Sequence, residues 1–525
     1  MVQSVFTSAF LLPIITLFFI GILASFKSRL SLIMRLTKIA PSIGLFSAVI
    51  GAFWVFDQGM VESSGISQYG LGLSLRFDQL SLIMYGMVSI IALVILRFSH
   101  NYLDGDAQHI KFLGRLSLTV ALVQLLVLSG NVFLLWVSWV ATSMALHRLL
   151  TFYPERKKAK LAAIKKFIVA RIGDTAFLIA ICLVYSVFHT GHLESIFVEL
   201  KNLNTQDIPV QLELAAFLLV ITAGLKSAQI PFHSWLLDVM EAPTPVSALL
   251  HAGLINAGPF LMIRFAYLLD VVSIAPIMLF AIGAATAFYG ALVFTTQPTI
   301  KTALAYSSVA HMGFTLMVCG LGVYSASLLH LVAHSFYKAH AFLSSGSIVD
   351  QVQTKQASNF KRKGSIWRII LGFGIAISLY ITIAQFWKIN ANTEYQVLII
   401  GGIIFTGIIS LLINAIDSSN YKFSTLIILV STVGVLMSFF CLEQFMHSYL
   451  GNQIPELSVP TPFMMYLSGA TLLLFFFTVL IQTLSPVLQK GNAFKNFGVH
   501  ARNGFYAHLI IDRTIKSLLS KNYKI

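Results

Sequence analysis

The stretch LELAAFLLVITAGLKSAQIPFHSWLLDVMEAPTPVSALLHAG, residues 212–253, decides the fold of this chain. An apolar run ends at Lys226, a polar interruption follows, and a second apolar run begins near residue 244. Proline removes a backbone donor, and irregular backbone persists at membrane depth only where it is buried in protein or lines a cavity. We therefore predict a membrane helix broken near residues 227–244, a feature that marks transport sites in other membrane proteins. The polar and helix-breaking residues of the interruption are Pro231, Asp238, Glu241, Pro243 and Pro245.

The composition extends this interpretation to the whole chain. Of 525 residues, 57% are hydrophobic and 10% are charged, whereas a soluble domain carries about 25% charged residues. This excludes a soluble globular protein. The apolar runs approach the roughly 20 residues that cross a bilayer as a helix, so we predict an all-α polytopic membrane protein with about fifteen transmembrane helices. The predicted spans are residues 8–26, 39–56, 78–97, 116–130, 131–148, 167–187, 211–227, 244–269, 272–296, 302–322, 324–347, 366–387, 397–416, 423–446 and 462–484.

The net charge of +15 could indicate a nucleic-acid surface or the loops of one membrane face. The basic residues cluster in alternate connections, so we expect no nucleic-acid partner and assign these connections to the cytoplasm. This places the N-terminus outside and the C-terminus in the cytoplasm, which requires an odd number of spans. The expected location is the cell (inner) membrane, in contact with lipid. The basic groups are Lys27 to Lys38, Arg148 to Lys166, Lys355 to Arg368 and Lys490 to Lys524.

The polar connections are short, so no soluble domain is expected between the spans. Residues 188–210 and 447–461 are predicted loops, and 348–365 is a predicted cytoplasmic connection. Residues 504–525 mix apolar and basic side chains and predict an amphipathic helix on the membrane surface or on a partner. Residues 1–7 have no lysine or arginine, which favours a retained first helix over a cleaved signal. Three isolated cysteines predict no disulfide framework, and we expect no resident metal and no cofactor. They are Cys182, Cys319 and Cys441.

Several ionisable residues lie inside the predicted spans, where a charge costs about 2.5–3.5 kcal/mol and is a functional candidate by default. Arg171 and Asp174 are one turn apart and can form a self-neutralising pair, or Asp174 can exchange partners with a lysine of a neighbouring helix. Lys226 is either a snorkelling lysine or a desolvated proton carrier. His251 is either a helix-to-helix hydrogen-bond partner or a proton site between other sites.

The clearest pattern is SLLHLVAHSFYKAHAFLSSGS, residues 327–347, in which His330, His334 and Lys338 are spaced four apart. Helical geometry stacks them on one face over about 12 Å. Packing alone does not explain three titratable groups in this arrangement, so we predict a proton path along this helix. His340 lies on another face, and the preceding span can extend the path through Lys301 and His311.

The motif KSAQIPFHSWLLDVMEAPTPVSALLHAG, residues 226–253, resembles the signature of the antiporter-like proton-translocating subunits of respiratory complex I and of multisubunit sodium/proton antiporters. The similarity covers about residues 75–350. Further matching segments are RFDQLSLIMYGMV (76–88), KKFIVARIGDTAF (165–177), TIKTALAYSSVAHMGF (299–314) and HLVAHSFYKAHAFLSSGS (330–347).

The resemblance implies two inverted five-helix repeats, each with a broken helix that carries a lysine, and a chain of lysines and histidines along the membrane midplane. Lys226 would be the first broken-helix lysine, His251 its neighbour, and Lys338 the central connecting lysine, with His330 and His334 as the adjoining relay. Arg171 and Asp174 occupy a similar Arg-x-x-Asp position. The implied organisation is N-terminal helices (1–115), a first repeat (116–269), a diverged second repeat (270–416), C-terminal helices (417–491) and a cytoplasmic tail (492–525).

The chain departs from the family pattern at two places. The glutamate expected after a tryptophan in the fifth helix falls at Val140, which carries no charge, so His147 or Asp174 would have to replace it. The second broken helix lacks proline, and only Lys388 resembles its terminal lysine.

One branch of the family fits best, on the segment MEAPTPVSALLHAGLINAGPFL (240–261) with Glu241 and Asn256. This segment resembles the membrane subunit of the DAB inorganic-carbon pumps. The resemblance implies a DabA-like zinc-binding partner, similar to β-carbonic anhydrases, on the cytoplasmic face, and carbon uptake driven by protons or sodium. This chain would be a transporter subunit and not an enzyme. The alternatives are a subunit of a complex I-like dehydrogenase or hydrogenase, a sodium/proton antiporter, and a non-conducting scaffold.

Overall fold

The computed structural model describes most of the chain. The described residues are 2–26, 29–63, 67–68, 70–153, 155–203, 208–239, 242–346, 366–390, 393–416, 421–488, 492–509, 512–514 and 517. The predicted connection 348–365 therefore lies outside the described residues, as do Glu241 and most of the end of the predicted tail helix.

The described chain is almost entirely helical, as predicted, with four two-residue strands between residues 61 and 77. The helices are α1 (Val2–Leu23), α2 (Leu30–Gln58), α3 (Gln79–Tyr102), α4 (His109–Val127), α5 (Val132–Leu150), α6 (Lys157–Phe188), α7 (Leu193–Asn202), α8 (Val210–Lys226), α9 (Ser234–Asp238), α10 (Thr244–Ala252), α11 (Ala257–Arg264), α12 (Ala266–Val271), α13 (Ile274–Phe294), α14 (Ile300–Gly320), α15 (Tyr324–Leu343), α16 (Ile366–Phe386), α17 (Tyr395–Ile416), α18 (Tyr421–Leu450), α19 (Pro462–Leu488) and α20 (Asn492–Arg502). The strands are β1 (Val61–Glu62), β2 (Ser67–Gln68), β3 (Leu71–Gly72) and β4 (Arg76–Phe77), paired antiparallel as β1 with β4 and β2 with β3.

The membrane-spanning character follows from length and composition. Within the described residues, 11 helices are long and apolar enough to cross a membrane, and the shorter apolar helices are Thr7–Leu23 and Ile370–Phe386. Two further predicted spans correspond to α8 and α15, which carry Lys226 and the titratable series of residues 330–338. Every predicted span thus has a helical counterpart, while the count of fifteen crossings stays a prediction.

The predicted break is confirmed. Helix α8 ends at Lys226, turns follow through residue 233, and the short helix α9 occupies Ser234–Asp238 before α10 begins at Thr244. Pro243 caps α10 and Pro245 lies in its first turn, where proline is tolerated because the first amides of a helix have no partner within it. The span predicted over 244–269 is itself divided by a 3₁₀ turn, Leu254–Asn256, between α10 and α11.

The boundaries of three predicted elements were wrong. The predicted loop 188–210 contains the amphipathic helix α7, whose apolar side is buried. Helix α18 runs on to Leu450, into the predicted loop 447–461. Helix α6 begins at Lys157 and not near residue 167, because a basic run can be the first turns of a helix that enters the membrane. Lys165 and Lys166 are consequently buried within a helix and do not lie in a loop.

Two large apolar cores and a small one around Tyr289, Val293 and Tyr306 hold the described helices together. One large core extends over the helices from α1 to α15, and the other packs α16 to α19 against α13, α14 and α15. Helices α13 and α14 are in very close contact because glycines line the contact: a Cβ atom on Gly313 would lie 2.5 Å from the amide nitrogen of Ala287. Small residues permit this approach where lipid gives no hydrophobic driving force between helices. The contact holds α14 beside the candidate site residues of α10 and α15.

The bundle has two distinguishable ends. At the hairpin end lie β1 to β4 and the turn 451–453; there the hydroxyl of Tyr267 donates to the carbonyl of Asn452 at 2.6 Å. At the tail end lie the connections near residues 106 and 153 and the described tail, where Gln297 Nε2 donates to the carbonyl of Arg502 at 3.2 Å. The positive-inside rule predicts that the tail end faces the cytoplasm.

An ion-pair clamp closes the hairpin end. Asp78 is fully buried, accepts from Arg76 Nε at 2.6 Å, and also pairs with Arg264 of α11. Burial by itself favours the neutral acid, but the guanidinium groups of Arg264 and Arg76 outweigh it and hold the pKa of Asp78 well below its usual range. The clamp ties the start of α3 to the segment that follows the broken helix.

Candidate functional site

The first candidate site is a cavity behind the broken helix. It has about 20 Å³ open to the centres of water molecules and is lined by residues of α5, α6, α8, α9 and the segment 250–255. That volume holds about one water molecule. Lys226, at the end of α8, projects into the cavity; its Nζ donates to the carbonyl of Trp139 at 3.3 Å and lies 4.4 Å from the centre of that indole ring. The lysine is therefore held by a carbonyl and an aromatic face, and no carboxylate of the described residues forms an ion pair with it.

Lys166 lines the same cavity and was not among the predicted site residues. Its side chain is 4% exposed, and its Nζ donates to both the carbonyl and the hydroxyl of Ser143, each at 2.7 Å. The sequence assigned Lys166 to a cytoplasmic run, where a lysine needs no explanation. Lys166 lies one to two helical turns before Arg171 and Asp174 on α6. This spacing is the sequence signal that could have placed Lys166 in the membrane.

Asp174 is the carboxylate of this cavity. It lies one turn from Arg171, and the two side chains pair at 2.5 Å as the spacing predicted. Asp174 is also within electrostatic range of both Lys226 and Lys166. The exchange of partners between Asp174 and a lysine remains a prediction. We name Lys166, Asp174 and Lys226 the cavity cluster.

A second ionic group lies at the tail end of the broken helix. Lys165 of α6 contacts Asp238 of α9 at 2.6 Å and Asp512 of the tail at 2.9 Å. Asp512 also accepts from the hydroxyl of Ser234 at 3.0 Å. The tail thus contacts the broken segment itself, and Asp238 is an ion-pair partner at the tail end of the broken helix.

The next group centres on His251 and Lys338. His251 is fully buried, its Nδ1 lies 2.8 Å from Ser308 Oγ, and its ring stacks on Phe342 with centroids 4.4 Å apart. Lys338 is also fully buried, and its Nζ donates to the carbonyl of Leu304 at 3.0 Å. The hydroxyl of Ser308 donates to that same carbonyl at 3.1 Å. The two titratable side chains are thus linked through one hydroxyl and one carbonyl.

Three histidines continue from Lys338 along α15 and α14. His311 Nδ1 lies 3.1 Å from His330 Nε2, and the rings of His311 and His334 are 5.2 Å apart. Neither ring nitrogen of His334 has a hydrogen-bond partner among the described residues. As the four-residue spacing predicted, His330, His334 and Lys338 share a helix face. We name His251, His311, His330, His334 and Lys338 the histidine cluster.

The two clusters are separate. Leu250, Leu254 and Ile255 line the cavity of Lys226, whereas the intervening His251 faces Ser308 and Phe342 on the other side. The segment 250–255 therefore forms the boundary between the clusters. No direct hydrogen bond across this boundary is seen among the described residues.

Other sequence candidates lie apart from both clusters. Lys388 follows the end of α16 and is exposed, and His340 is exposed on α15. His147 contacts the carbonyl of Ala163 at 3.3 Å, and neither it nor Val140 lines the cavity. Pro231 is exposed in the break. Among the described residues, no group of three or more His, Cys, Asp or Glu side chains is arranged to hold a metal ion.

Comparisons with known proteins agree with this architecture. Residues 129–370 match the transmembrane family described as NADH:quinone oxidoreductase/Mrp antiporter. Residues 64–113 match the N-terminus of complex I (NADH-ubiquinone oxidoreductase) chain 5. The first match contains both clusters.

Two curated relatives are described as probable inorganic carbon transporter subunits. DabB2 of Halothiobacillus neapolitanus is 42% identical over 321 residues, covering 60% of this chain and 57% of the relative. DabB of Hydrogenovibrio crunogenus is 39% identical over 355 residues, covering 67% of this chain and 66% of the relative. The chain thus matches somewhat more than half of the length of these relatives.

A solved structure shows the same fold over nearly all of the chain. The Mrp complex from Dietzia superimposes with a TM-score of 0.63 and 21% identity, over 98% of this chain and 60% of the other. At this identity the likeness concerns the fold alone.

Proposed function

Because this chain belongs to the superfamily of the NADH:quinone oxidoreductase and Mrp antiporter membrane subunits, we propose that it conducts protons across a cell membrane. The observation that carries the proposal is the placement of two fully buried titratable side chains, His251 and Lys338, on neighbouring helices, where Ser308 and the carbonyl of Leu304 hold them close together. Buried titratable side chains are expensive inside a membrane protein, and a chain of them on facing helices is typical of a proton path.

The proposed path has a part in each cluster. Lys226 would exchange protons in the cavity beside Asp174 and Arg171. Lys338, His334 and His330 would move them along α15, with His251 as the group nearest to the boundary. A rearrangement of the segment 250–255 or a bridging water would be required for a proton to cross between the clusters. Lys388 would serve at most as an exit group, since it is exposed beyond the end of α16.

We propose inorganic-carbon uptake as the process that this flux drives. The support is that two relatives described as inorganic carbon transporter subunits match 60% and 67% of this chain. Each elementary charge that crosses 100 mV would supply about 2.3 kcal/mol. Hydration of CO2 would take place on a zinc-binding, carbonic-anhydrase-like partner at the tail end, on the cytoplasmic side of the inner membrane. This chain would supply ions and contribute no catalytic residue to that reaction.

Copurification tests the choice of process. The chain would be affinity-purified from membranes of its own organism, with its partners identified by mass spectrometry and zinc measured in the complex. A zinc-containing carbonic-anhydrase-like subunit is the expected result. Dehydrogenase or hydrogenase subunits would overturn the carbon-uptake proposal in favour of an electron-driven pump, and a set of antiporter subunits would favour sodium/proton exchange.

Bicarbonate accumulation tests the connection between conduction and uptake. In cells that express the complex, Lys338→Ala is expected to abolish accumulation, whereas His340→Ala on the same helix is expected to retain it. Membrane levels of both variants would be measured by immunoblot. Full accumulation by Lys338→Ala at normal membrane levels would contradict the relay.

A further inference from the structure

The two lysines of the cavity cluster come from different helices, and both contact the same face of α5. Lys226 donates to the carbonyl of Trp139 and Lys166 donates to the carbonyl of Ser143. These two carbonyls are four residues apart on α5, so they lie on one face of that helix with a rise of about 6 Å between them. The two ammonium groups therefore face the same small cavity about one helical turn apart.

The charges of the cavity do not balance if both lysines are protonated. Asp174 already contacts Arg171, so its negative charge is largely matched before either lysine is counted. Two unit charges about 6 Å apart repel enough, at an effective dielectric constant of about 20, to change a proton equilibrium by about 100-fold. The arrangement therefore opposes double protonation.

We propose that Lys166 and Lys226 form a two-lysine site that carries one transferable proton, an inference that rests on the proposed proton conduction. In the transfer step an N–H bond breaks at Nζ of one protonated lysine, and a new N–H bond forms at Nζ of the other, with a cavity water as the bridge. One positive charge moves, the total charge is unchanged, and the Arg171–Asp174 pair stays intact. A proton that arrives on one lysine thus expels the proton from the other.

The position of Lys166 gives this transfer a direction within the bundle. Helix α5 runs from the hairpin end to the tail end, so Ser143 is nearer to the tail end than Trp139. Lys166 is also adjacent to Lys165, which contacts Asp238 and Asp512 at the tail end of the broken helix. Lys166 is consequently the site nearer to the tail end and Lys226 the deeper one. Val140 stands where the family pattern has a glutamate, so that position supplies no charge to change the proton affinity of Lys226. The positive charge of Lys166 would change that affinity instead.

The test is the pH dependence of proton flux in liposomes that contain the purified complex. Lys166→Met removes the like charge, and Lys160→Met is the matched control because Lys160 is an exposed lysine on the same helix. We expect Lys166→Met to slow flux about tenfold at neutral pH and to shift its midpoint by up to about two pH units in the alkaline direction, because Lys226 then retains its proton more tightly. Lys160→Met is expected to leave both quantities unchanged.

A second variant and a reference variant make the outcomes distinguishable. Lys166→Gln keeps a donor for Ser143 and is expected to give the same alkaline shift, so it replaces Lys166→Met if that variant does not fold. If Lys166→Met slowed flux but left its midpoint unshifted, the role of Lys166 would be structural and the inference would be overturned. The inference would also be overturned if Lys166→Met had the same rate and midpoint as the control Lys160→Met. Loss of flux in Lys226→Ala alongside such a result would leave the proposed function intact. Full flux in Lys226→Ala would overturn the proposed function itself.

Discussion

His251 and Lys338 lie on different helices and are joined through one hydroxyl and one backbone carbonyl. Ser308 Oγ contacts Nδ1 of His251 at 2.8 Å and donates to the carbonyl of Leu304, which also accepts from Lys338 Nζ. The Ser308 hydroxyl can donate either to the carbonyl of Leu304 or to Nδ1 of His251, depending on the tautomer of the histidine. In the first arrangement His251 donates from Nδ1, and its Nε2 is the basic nitrogen on the side away from Ser308.

Replacement of Ser308 by alanine tests this hydrogen bond. Ser308→Ala leaves Nδ1 of buried His251 without its partner, and an unpaired buried polar group costs about 1–3 kcal/mol. We expect about a tenfold slower proton flux and a lower free energy of unfolding by about that amount. The measurements are flux in liposomes and thermal unfolding in detergent. Ser308→Thr keeps the hydroxyl and should stay close to wild type; equal loss in both variants would show that packing and not the hydrogen bond matters.

The histidine pattern on α15 gives a second prediction. His334 is 3% exposed with no hydrogen-bond partner among the described residues, whereas His340 on the same helix is exposed. His334→Ala is expected to slow proton flux by about 100-fold or more, since a positioned acid–base group typically contributes about 10²–10⁴-fold. His340→Ala should leave the flux within about twofold of wild type. Indistinguishable rates for the two variants would remove His334 from the path.

The clamp at the hairpin end is predicted to be structural. Asp78→Asn leaves the buried guanidinium of Arg264 without a carboxylate partner among the described residues, while Arg76 keeps its contact with Glu194 at 2.8 Å. Breaking a buried ion pair in this way costs about 3–5 kcal/mol. We expect a large fall in thermal stability in detergent and low membrane levels. Asp104→Asn is the control, because Asp104 is exposed in a connection. A stability of Asp78→Asn equal to that of the control would contradict the clamp.

The pH dependence of the clamp follows from the direction of the pKa shift. Arg264 and Arg76 hold the folded-state pKa of Asp78 well below its unfolded value, so the stabilisation is fully present above the unfolded pKa, near 4, and is lost only as pH falls toward the folded pKa. Wild-type stability should therefore show no loss from this group between about pH 5 and 8. A clamp-dependent unfolding transition within that window, absent from Asp78→Asn, would contradict the assignment.

Docking of the tail on the broken helix is a further expectation. Lys165 is 3% exposed in its side chain and contacts Asp512, which also accepts from Ser234. Asp512→Asn weakens a charged hydrogen bond worth about 1.5–3 kcal/mol, so we expect about a tenfold faster tryptic cleavage at Arg513. Asp512→Glu retains the charge and should be cleaved more slowly than Asp512→Asn. Equal cleavage rates in all three proteins would show that the tail is not held by this contact.

The sequence was sufficient for the helical class and for the break, because these depend on local features: long apolar runs, and prolines between Lys226 and Thr244. The helix face shared by His330, His334 and Lys338 was also predictable, since it follows from helical periodicity. Their participation in proton transport is still a prediction. The boundaries of α6 and α7 were not predictable in the same way, since charged residues can begin a membrane helix and a short amphipathic helix resembles a polar loop.

What the sequence could not give is the partition of the site into two clusters. His251 is one residue from Leu250 and three from Leu254, yet its side chain faces Ser308 while the leucines line the cavity of Lys226. Only the packing of α10 against α15 and α3 decides which cluster each side chain joins. The same applies to Lys166, whose burial depends on the contact of α6 with Ser143 of α5.

Proton flux through Lys338→Ala in liposomes tests the central claim most directly. The side chain of Lys338 is fully buried on α15, next to the contact with His251. Without it, a proton has no titratable group at this position, which costs about 2.5–3.5 kcal/mol, or roughly 100-fold in rate. The account predicts about that loss at normal folding and incorporation, with His340→Ala near wild type. Undiminished flux through Lys338→Ala would contradict it.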